Sequence, residues 1–163
     1  MKSNKLYILY VISNLIRGLN KALENDLKKT TSSHGLTLPQ FYLLSIIYYK
    51  NGATLSEVSE YGNWHLSTVM DLIRRTEKKG LTRKELDGND ARTKRVYITE
   101  EGKELFNSLK DANDEYKFLE TILQNESSES IEKKINSLYD MNKVLNQDRL
   151  VGYVRETANV LKV

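Results

Sequence analysis

The sequence predicts a mainly α-helical fold that carries one small β-hairpin. Hydrophobic residues recur at helical spacing through most of the 163 residues, and two short alternating segments between positions 81 and 99 flank an Asp-Gly turn. The single proline and eight glycines leave few turns. A chain of this length is expected to form one domain with a real hydrophobic core.

The composition excludes several classes of chemistry. The chain has no cysteine, which excludes a disulfide framework, a thiolate metal site and a cysteine redox switch. Only His34 and His65 could act as imidazole bases, and no glycine-rich phosphate loop, H-E-x-x-H helix or G-x-S-x-G elbow is present. We therefore predict no catalytic residues, no metal site and no cofactor, and a protein that is not an enzyme.

The net charge is only +3, but the charges are unevenly distributed. Between His65 and Arg95 nine basic residues outnumber five acidic ones, whereas between Glu100 and Asp148 twelve acidic residues outnumber six lysines. Such asymmetry indicates one surface that faces a polyanion, although a solvated face would give the same counts.

The N-terminal segment predicts a helix from Leu6 to about Lys29 that is apolar around most of its circumference. Such a helix is buried on more than one side, and in a small chain the second side is expected to meet a partner subunit. The apolar run is too short to span a bilayer and lacks a signal-peptide cleavage site. We expect a cytoplasmic protein with no membrane partner, and a polar loop over Thr30–Gly35 with His34 exposed.

Three further helices are predicted before the hairpin. The first begins near Pro39 and ends at Asn51-Gly52. A capping box of Thr54 and Glu57 opens a short helix that Gly62 ends. The third begins near His65 and ends at Gly80; its predicted buried face is Val69, Leu72, Ile73 and Thr76, opposite Ser67, Asp71, Arg74 and Lys78.

The second half begins with the hairpin and continues as helices. Leu81–Asp87 and Arg95–Thr99 are the predicted strands, joined at Asp87-Gly88. Thr99 caps a long helix through Leu123, and residues 125–129 break this helix. Two more helices are expected over 131–145 and 150–163, the last with a kink near Gly152.

A short helix, a glycine-containing turn and a second helix form a helix-turn-helix, and the hairpin adds a wing. This order predicts a winged helix-turn-helix, a fold that lays its second helix in a DNA major groove. The hydroxyls of Ser67 and Thr68 can donate to phosphates or touch base edges. Arg74 is placed for guanine or phosphate, and Arg75 for phosphate.

The basic hairpin tip is predicted to contact the DNA as well. Arg92 can enter a narrow minor groove, where negative potential favours it, and Lys94 and Arg95 suit the backbone. Asp90 would repel DNA, so we predict that it forms an ion pair that orients Arg92 or Arg95. The predicted DNA-contacting set is His65, Ser67, Thr68, Asp71, Arg74, Arg75, Lys78, Lys84, Asp90, Arg92, Lys94 and Arg95.

Several segments resemble the MarR family of bacterial winged-helix regulators. They are GLTLPQFYLL, LSEVSEYG, LSTVMDLIRRTEKKGLTR and DGNDARTKRVYITEEG. The longer phrase NGATLSEVSEYGNWHLST resembles the Hpr subgroup, which regulates protease production and sporulation. The resemblance implies a recognition helix over Leu66–Lys79 and a wing centred on Asp90 and Arg92. Asn89 and Ala91 depart from the family's wing motif, where many members have Arg.

The resemblance also implies a homodimer that binds a pseudo-palindromic double-stranded DNA operator, as a repressor. The whole chain is then one domain: 36–99 form the DNA-binding lobe, and 1–35 with 100–163 form the helical dimerisation region. Many members bind small aromatic ligands, for which Tyr7, Tyr10, Tyr42, Tyr48, Tyr49 and Tyr116 are candidates, although such tyrosines are usually core. The expected dimer-interface residues are Leu6, Tyr7, Leu9, Tyr10, Ile12, Leu145 and Val154.

A different reading keeps the same fold without a DNA site. A winged helix can serve as a protein–protein contact module. The basic recognition helix and wing favour DNA over that alternative.

Overall fold

A computed structural model describes residues 4–88, 90, 92–111, 117–145 and 147–161. Eight helices and three strands are assigned within these ranges. In chain order they are α1 (Lys5–Ser33), α2 (Leu38–Tyr49), β1 (Ala53–Thr54), α3 (Leu55–Gly62), α4 (Leu66–Lys78), β2 (Thr82–Leu86), β3 (Lys94–Ile98), α5 (Glu100–Asp111), α6 (Lys117–Asn125), α7 (Ser128–Val144) and α8 (Asp148–Leu161).

Helix α1 is longer than predicted. The expected loop over Thr30–Gly35 is wrong for its first four residues, because the helix continues to Ser33. Thr30 and Thr31 are buried, so tertiary packing holds a polar turn helical where local preference favours a loop. His34 is half-buried rather than exposed, and its Nδ1 lies 3.0 Å from the Thr30 carbonyl oxygen.

The core of the molecule is assembled by α2, α3 and α4. Leu44, Ile47 and Val58 are completely buried there. The predicted capping box is confirmed: the Thr54 side chain accepts from the Glu57 amide, and the Glu57 carboxylate accepts from the Thr54 amide at 2.8 Å. The second bond holds the pKa of Glu57 below its usual value. This cap sets where α3 begins.

The turn between α3 and α4 is shaped by a tryptophan. Asn63 adopts the left-handed conformation, and the half-buried Trp64 ring packs against the core. A Cβ at Gly62 would lie within 3 Å of that ring, so the position requires glycine. The Ser59 hydroxyl donates to the Trp64 carbonyl at 2.5 Å. The three-residue turn between α3 and α4 is thereby fixed, and α4 starts in a defined direction.

The hairpin belongs to a three-stranded antiparallel sheet of order β1-β3-β2. The predicted hairpin is confirmed, with Lys84 opposite Val96 and Leu86 opposite Lys94. Strand β1 was not predicted because two residues carry no periodicity; it pairs Ala53 with Val96. Val96 and Ile98 are buried, and they anchor the hairpin to the core.

Helix α5 packs into the same core. Thr99 caps it as predicted, accepting from the Gly102 amide at 3.0 Å. Phe106 and Leu109 are buried among the core side chains, so the core extends beyond the boundary predicted at residue 99. The long helix predicted from Thr99 is described as α5 and α6, on either side of 112–116, which lie outside the described residues.

The remaining helices bury little. In the described part of the chain, α6 and α7 contain no buried residue, and α8 contains only Val151. Helix α8 starts at Asp148, two residues before the prediction, and is a single helix that runs through Gly152. It returns to the core, where Tyr153 stacks on Tyr61 with ring centroids 5.2 Å apart. None of the described helices is long and apolar enough to cross a membrane.

Candidate nucleic-acid interface

Helix α4 is amphipathic in the way the sequence predicts. Its four predicted core residues are all buried. Its opposite side is exposed and carries hydroxyl, apolar and basic side chains: Ser67, Thr68, Met70, Arg74, Arg75 and Lys78. His65 is the exposed N-cap residue and makes no side-chain capping hydrogen bond. The predicted recognition helix therefore has a free outer face.

One carboxylate organises the arginines of this face. Asp71 accepts from Arg74 Nη2 at 2.6 Å and forms an ion pair with Arg75 Nε at 2.8 Å. The hydrogen bond from Arg74, with the charges of both arginines, holds the pKa of Asp71 below its usual value. Asp71 was predicted as a DNA-contacting residue, and the geometry gives it a second task, because it directs both guanidinium groups.

Two other basic residues connect α4 to its neighbours. Lys84 on β2 pairs with Glu77 on α4 at 2.9 Å. Lys79 donates to the Gly35 carbonyl at 2.5 Å. Lys84 was predicted to contact DNA, but part of its charge is neutralised within the chain, and its contact with α4 fixes the wing against the helix.

The predicted ion pair of Asp90 is wrong. The Asp90 carboxylate accepts from the Arg92 amide at 2.9 Å and from the Thr93 hydroxyl at 2.8 Å, so it shapes the turn at the tip. The Arg92 amide is the main reason that the pKa of Asp90 lies below its usual value. Among the described residues it is Asp87 that pairs with Arg95.

Arg95 is held at the base of the wing. Its Nε donates to Asp87 and its Nη1 donates to the Gly52 carbonyl at 2.9 Å. The bond to Asp87 raises the pKa of Arg95 above its usual value. A guanidinium engaged on two sides is better placed to fix the hairpin than to reach a phosphate. The prediction of a backbone contact by Arg95 is therefore weakened by its neighbours, which the sequence could not identify.

Three of the predicted cations make no ion pair within the described ranges. They are Lys78 near the end of α4, Arg92 at the wing tip and Lys94 at the start of β3, and all three are exposed. Between helix and wing lies a cleft of about 310 Å³ lined by Leu55, Met70, Asp71, Ile73, Arg74, Lys84 and Lys94. Basic side chains on both walls make this cleft suitable for a phosphodiester strand.

The residues predicted to form a dimer interface are all exposed in the single chain. Leu6 and Tyr10 are 73% and 68% exposed, and the others share this character: Tyr7, Leu9, Ile12, Leu145 and Val154. Beside α1, an apolar groove of about 980 Å³ runs between α1, α6 and α7.

The tyrosines predicted for an aromatic ligand have different environments. Tyr48 and Tyr49 pack against Phe106, with ring centroids 4.7 and 6.0 Å away, as core residues do. Tyr7 and Tyr10 are exposed on α1, and Tyr42 is exposed on α2. Tyr116 lies outside the described residues. The aromatic ligand stays a prediction.

Comparisons with known proteins agree on the fold. The chain resembles a MarR mutant from E. coli complexed with operator DNA (TM-score 0.75, 18% identity, covering 85% of this chain and 99% of that one). It also resembles the S. aureus MepR–DNA complex (TM-score 0.72, 23% identity, 81% and 96% covered) and a MarR regulator from Methanosarcina mazei Go1 (TM-score 0.71, 23% identity, 82% and 95% covered). The predicted winged-helix fold is confirmed.

Sequence comparison identifies relatives in Bacillus. The DNA-binding transcriptional repressor ScoC of Bacillus subtilis is 34% identical over 98 residues, which is 60% of this chain and 48% of ScoC. The HTH-type transcriptional regulator Hpr of Bacillus cytotoxicus is 31% identical over 98 residues, covering 60% and 53%. The aligned segment thus spans about half the length of these relatives.

The family described as transcriptional regulator SarA/Rot matches residues 26–109. That range is just over half of the chain and contains α2 to α4, the sheet, most of α5 and the last turns of α1. The resemblance to Hpr and the prediction of a regulator rather than an enzyme are both confirmed. The chain belongs to the SarA/Rot family of transcriptional regulators, with the winged-helix fold of MarR proteins.

Proposed function

We propose that the chain binds double-stranded DNA sequence-specifically as a homodimer and represses transcription from a pseudo-palindromic operator. The recognition helix α4 lies in the major groove, and the wing tip reaches the adjacent minor groove. ScoC, a named DNA-binding repressor, and the DNA-bound MarR and MepR structures support this assignment. A location in the cytoplasm follows from access to DNA.

One observation carries the proposal. Lys78, Arg92 and Lys94, for which the described residues supply no ion-pair partner, lie on the outer side of α4 and on the wing, and a cleft with basic walls separates the two elements. We assign one phosphodiester strand of the duplex to this cleft, between the major groove that receives α4 and the minor groove that receives the wing. A lysine or arginine that neutralises a DNA phosphate releases a condensed counterion, which favours binding.

The homodimer is supported by the apolar surface of the flanking helices. A contiguous apolar patch larger than a few hundred Å² is uncommon on a monomer and marks an interface. The exposed residues of α1 adjoin the groove between α6 and α7. We assign a second copy of the chain to this surface, because a two-fold dimer presents two recognition helices to successive major grooves. In this arrangement α1, α6, α7 and α8 supply the dimer helices, and the DNA-binding lobe extends past the predicted boundary at residue 99 to include α5, which packs into its core.

Fluorescence anisotropy against salt tests the DNA site. A duplex selected from a random pool is titrated with the protein at several salt concentrations. The logarithm of the binding constant should fall linearly with the logarithm of the salt concentration. Arg92→Ala should flatten that slope by about 1 for each copy that contacts a phosphate or the minor groove.

The matched control is Arg155→Ala on α8, whose guanidinium lies 4.6 Å from the Tyr139 ring centroid. This change removes the same charge away from α4 and the wing, so the slope should stay as in the wild type. An equal flattening in both variants would mean that net charge, and not the wing, governs binding. If the wild-type chain bound no duplex in a salt-dependent manner, the proposed function would be wrong.

A further inference from the structure

The outer face of α4 carries an exposed apolar pair near its start. Leu66 is 46% exposed and Met70 is 56% exposed, although Val69 between them is completely buried. Leu66 and Met70 are four residues apart, so they lie one above the other on the same side of the helix. We call these two residues the apolar pair.

The charges of α4 are concentrated beyond this pair. Residues 66–70 contain no charged side chain, and their other exposed members are the hydroxyl residues Ser67 and Thr68. The arginines that follow, Arg74 and Arg75, are held by Asp71. The first turns of α4 therefore offer methyl, thioether and hydroxyl groups to whatever they meet, and no cation.

The N-terminal residues of a recognition helix are the ones that contact base edges in the major groove. In that groove the C5-methyl group of thymine is the apolar feature, and apolar side chains contact it. Thymine also presents its O4 acceptor there, which a serine or threonine hydroxyl can contact. The chemistry of residues 66–70 thus matches thymine better than any other base.

We propose that Leu66 and Met70 recognise thymine methyl groups, and that each half-site places at least one thymine under the first turns of α4. This inference rests on the proposed function, because it assumes that α4 enters the major groove. The pair then selects sequence by apolar contact, while Lys78, Arg92 and Lys94 supply affinity through the phosphates.

Replacing thymine by deoxyuridine removes only the methyl group and leaves base pairing intact. In the selected duplex each thymine is replaced in turn, and the dissociation constant is measured by anisotropy. One or two positions per half-site should weaken binding about fourfold, from about 0.8 kcal/mol per buried methyl at 1.4 kcal/mol per tenfold. The remaining positions should change little.

Variants then assign the effect to side chains. Met70→Ala or Leu66→Ala should abolish the effect of deoxyuridine at the thymine that the truncated side chain contacts. The variant should therefore bind the duplex with deoxyuridine at that position as tightly as it binds the unsubstituted duplex. Met70→Leu keeps an apolar contact and should retain the sensitivity. Asn107→Ala, which truncates an exposed side chain on α5, is the control and should behave as the wild type.

Two results would overturn the inference while the proposed function stands. In the first, the wild-type protein binds the duplex but no deoxyuridine substitution weakens binding. In the second, sensitive positions exist but stay equally sensitive in both alanine variants. A wild-type chain that binds no duplex would instead defeat the proposed function, and the inference would fall with it.

Discussion

The DNA-binding lobe and the helical flank differ in how much of their apolar side-chain surface is buried within a single chain. The lobe, α2 to α5 with the sheet, encloses its apolar side chains, and Leu43, Leu44 and Ile47 are fully or almost fully buried. The flank, α1 with α6, α7 and α8, leaves most of its apolar side chains exposed. The same chain thus contains one region that is complete alone and another that is complete only with a partner surface.

This difference separates two sources of stability. Burial of apolar surface in the lobe stabilises the single chain, whereas burial in the flank stabilises an assembly and depends on concentration. Helix α8 is intermediate, because Tyr153 packs on the lobe while Val160 and Leu161 stay exposed. Variants in the two regions should therefore fail in different assays.

The largest effect is expected for Leu9→Glu in α1. A carboxylate in an apolar interface loses its hydration without a partner, and two-fold symmetry introduces the change twice. The dissociation constant of the dimer should rise by at least about 100-fold, since each uncompensated charge costs several kcal/mol. Light scattering measures the change in mass, and circular dichroism should show the lobe still folded.

Lys29→Glu introduces the same acid at an exposed position near the end of α1 and serves as the control. It should leave the mass of the assembly unchanged. If Leu9→Glu remained dimeric at micromolar concentration, the assignment of the α1 surface to a second copy would be wrong.

The next largest effect is expected for the truncation of a core side chain in the lobe. Leu44→Ala removes a completely buried side chain and should lower the free energy of unfolding by about 2–5 kcal/mol. Trp64 is the only tryptophan and lies in the lobe, so its fluorescence in urea reports this unfolding. Leu15→Ala truncates an exposed side chain of α1. It should change the free energy of unfolding of the monomer, followed by Trp64 fluorescence, by no more than about 0.5 kcal/mol. If both variants lost the same free energy of unfolding, the claim that the lobe is stable without the flank's apolar surface would be wrong.

The smallest effect is expected at Asp71. Asp71→Asn releases Arg74 and Arg75, so more charge becomes available to phosphates. The salt dependence of binding to random DNA should steepen by about 1 for each copy, and the ratio of operator to random affinity should fall. Asp140→Asn on α7 removes the same charge and should change neither quantity. If Asp71→Asn left the ratio of operator to random affinity unaltered, the ion pairs of Asp71 would not contribute to sequence recognition.

Local signals explain why much of the lobe was predictable. The Thr54–Glu57 capping box and the buried set of α4 each lie within one turn or one helix, and the structure confirms them. The Gly80 stop is equally local, with a positive φ of 73°.

The features that sequence reasoning missed depend on distant contacts. Thr30 and Thr31 stay helical and are buried, which their polar side chains do not predict. Arg95 pairs with Asp87, although the hairpin register places Glu85 directly opposite it, and Asp90 accepts from the backbone instead. The packing of α8 against α3 likewise depends on the stacking of Tyr153 on Tyr61, which no local sequence pattern predicts.

The central claim is that two copies of the chain present two recognition helices to one duplex. Light scattering of the complex with the selected duplex, combined with a footprint of the protected bases, tests it most directly. We predict two chains per duplex and two protected half-sites one helical turn apart, about 10 base pairs from centre to centre. A single chain per duplex, or one protected segment without a symmetric counterpart, would contradict the account.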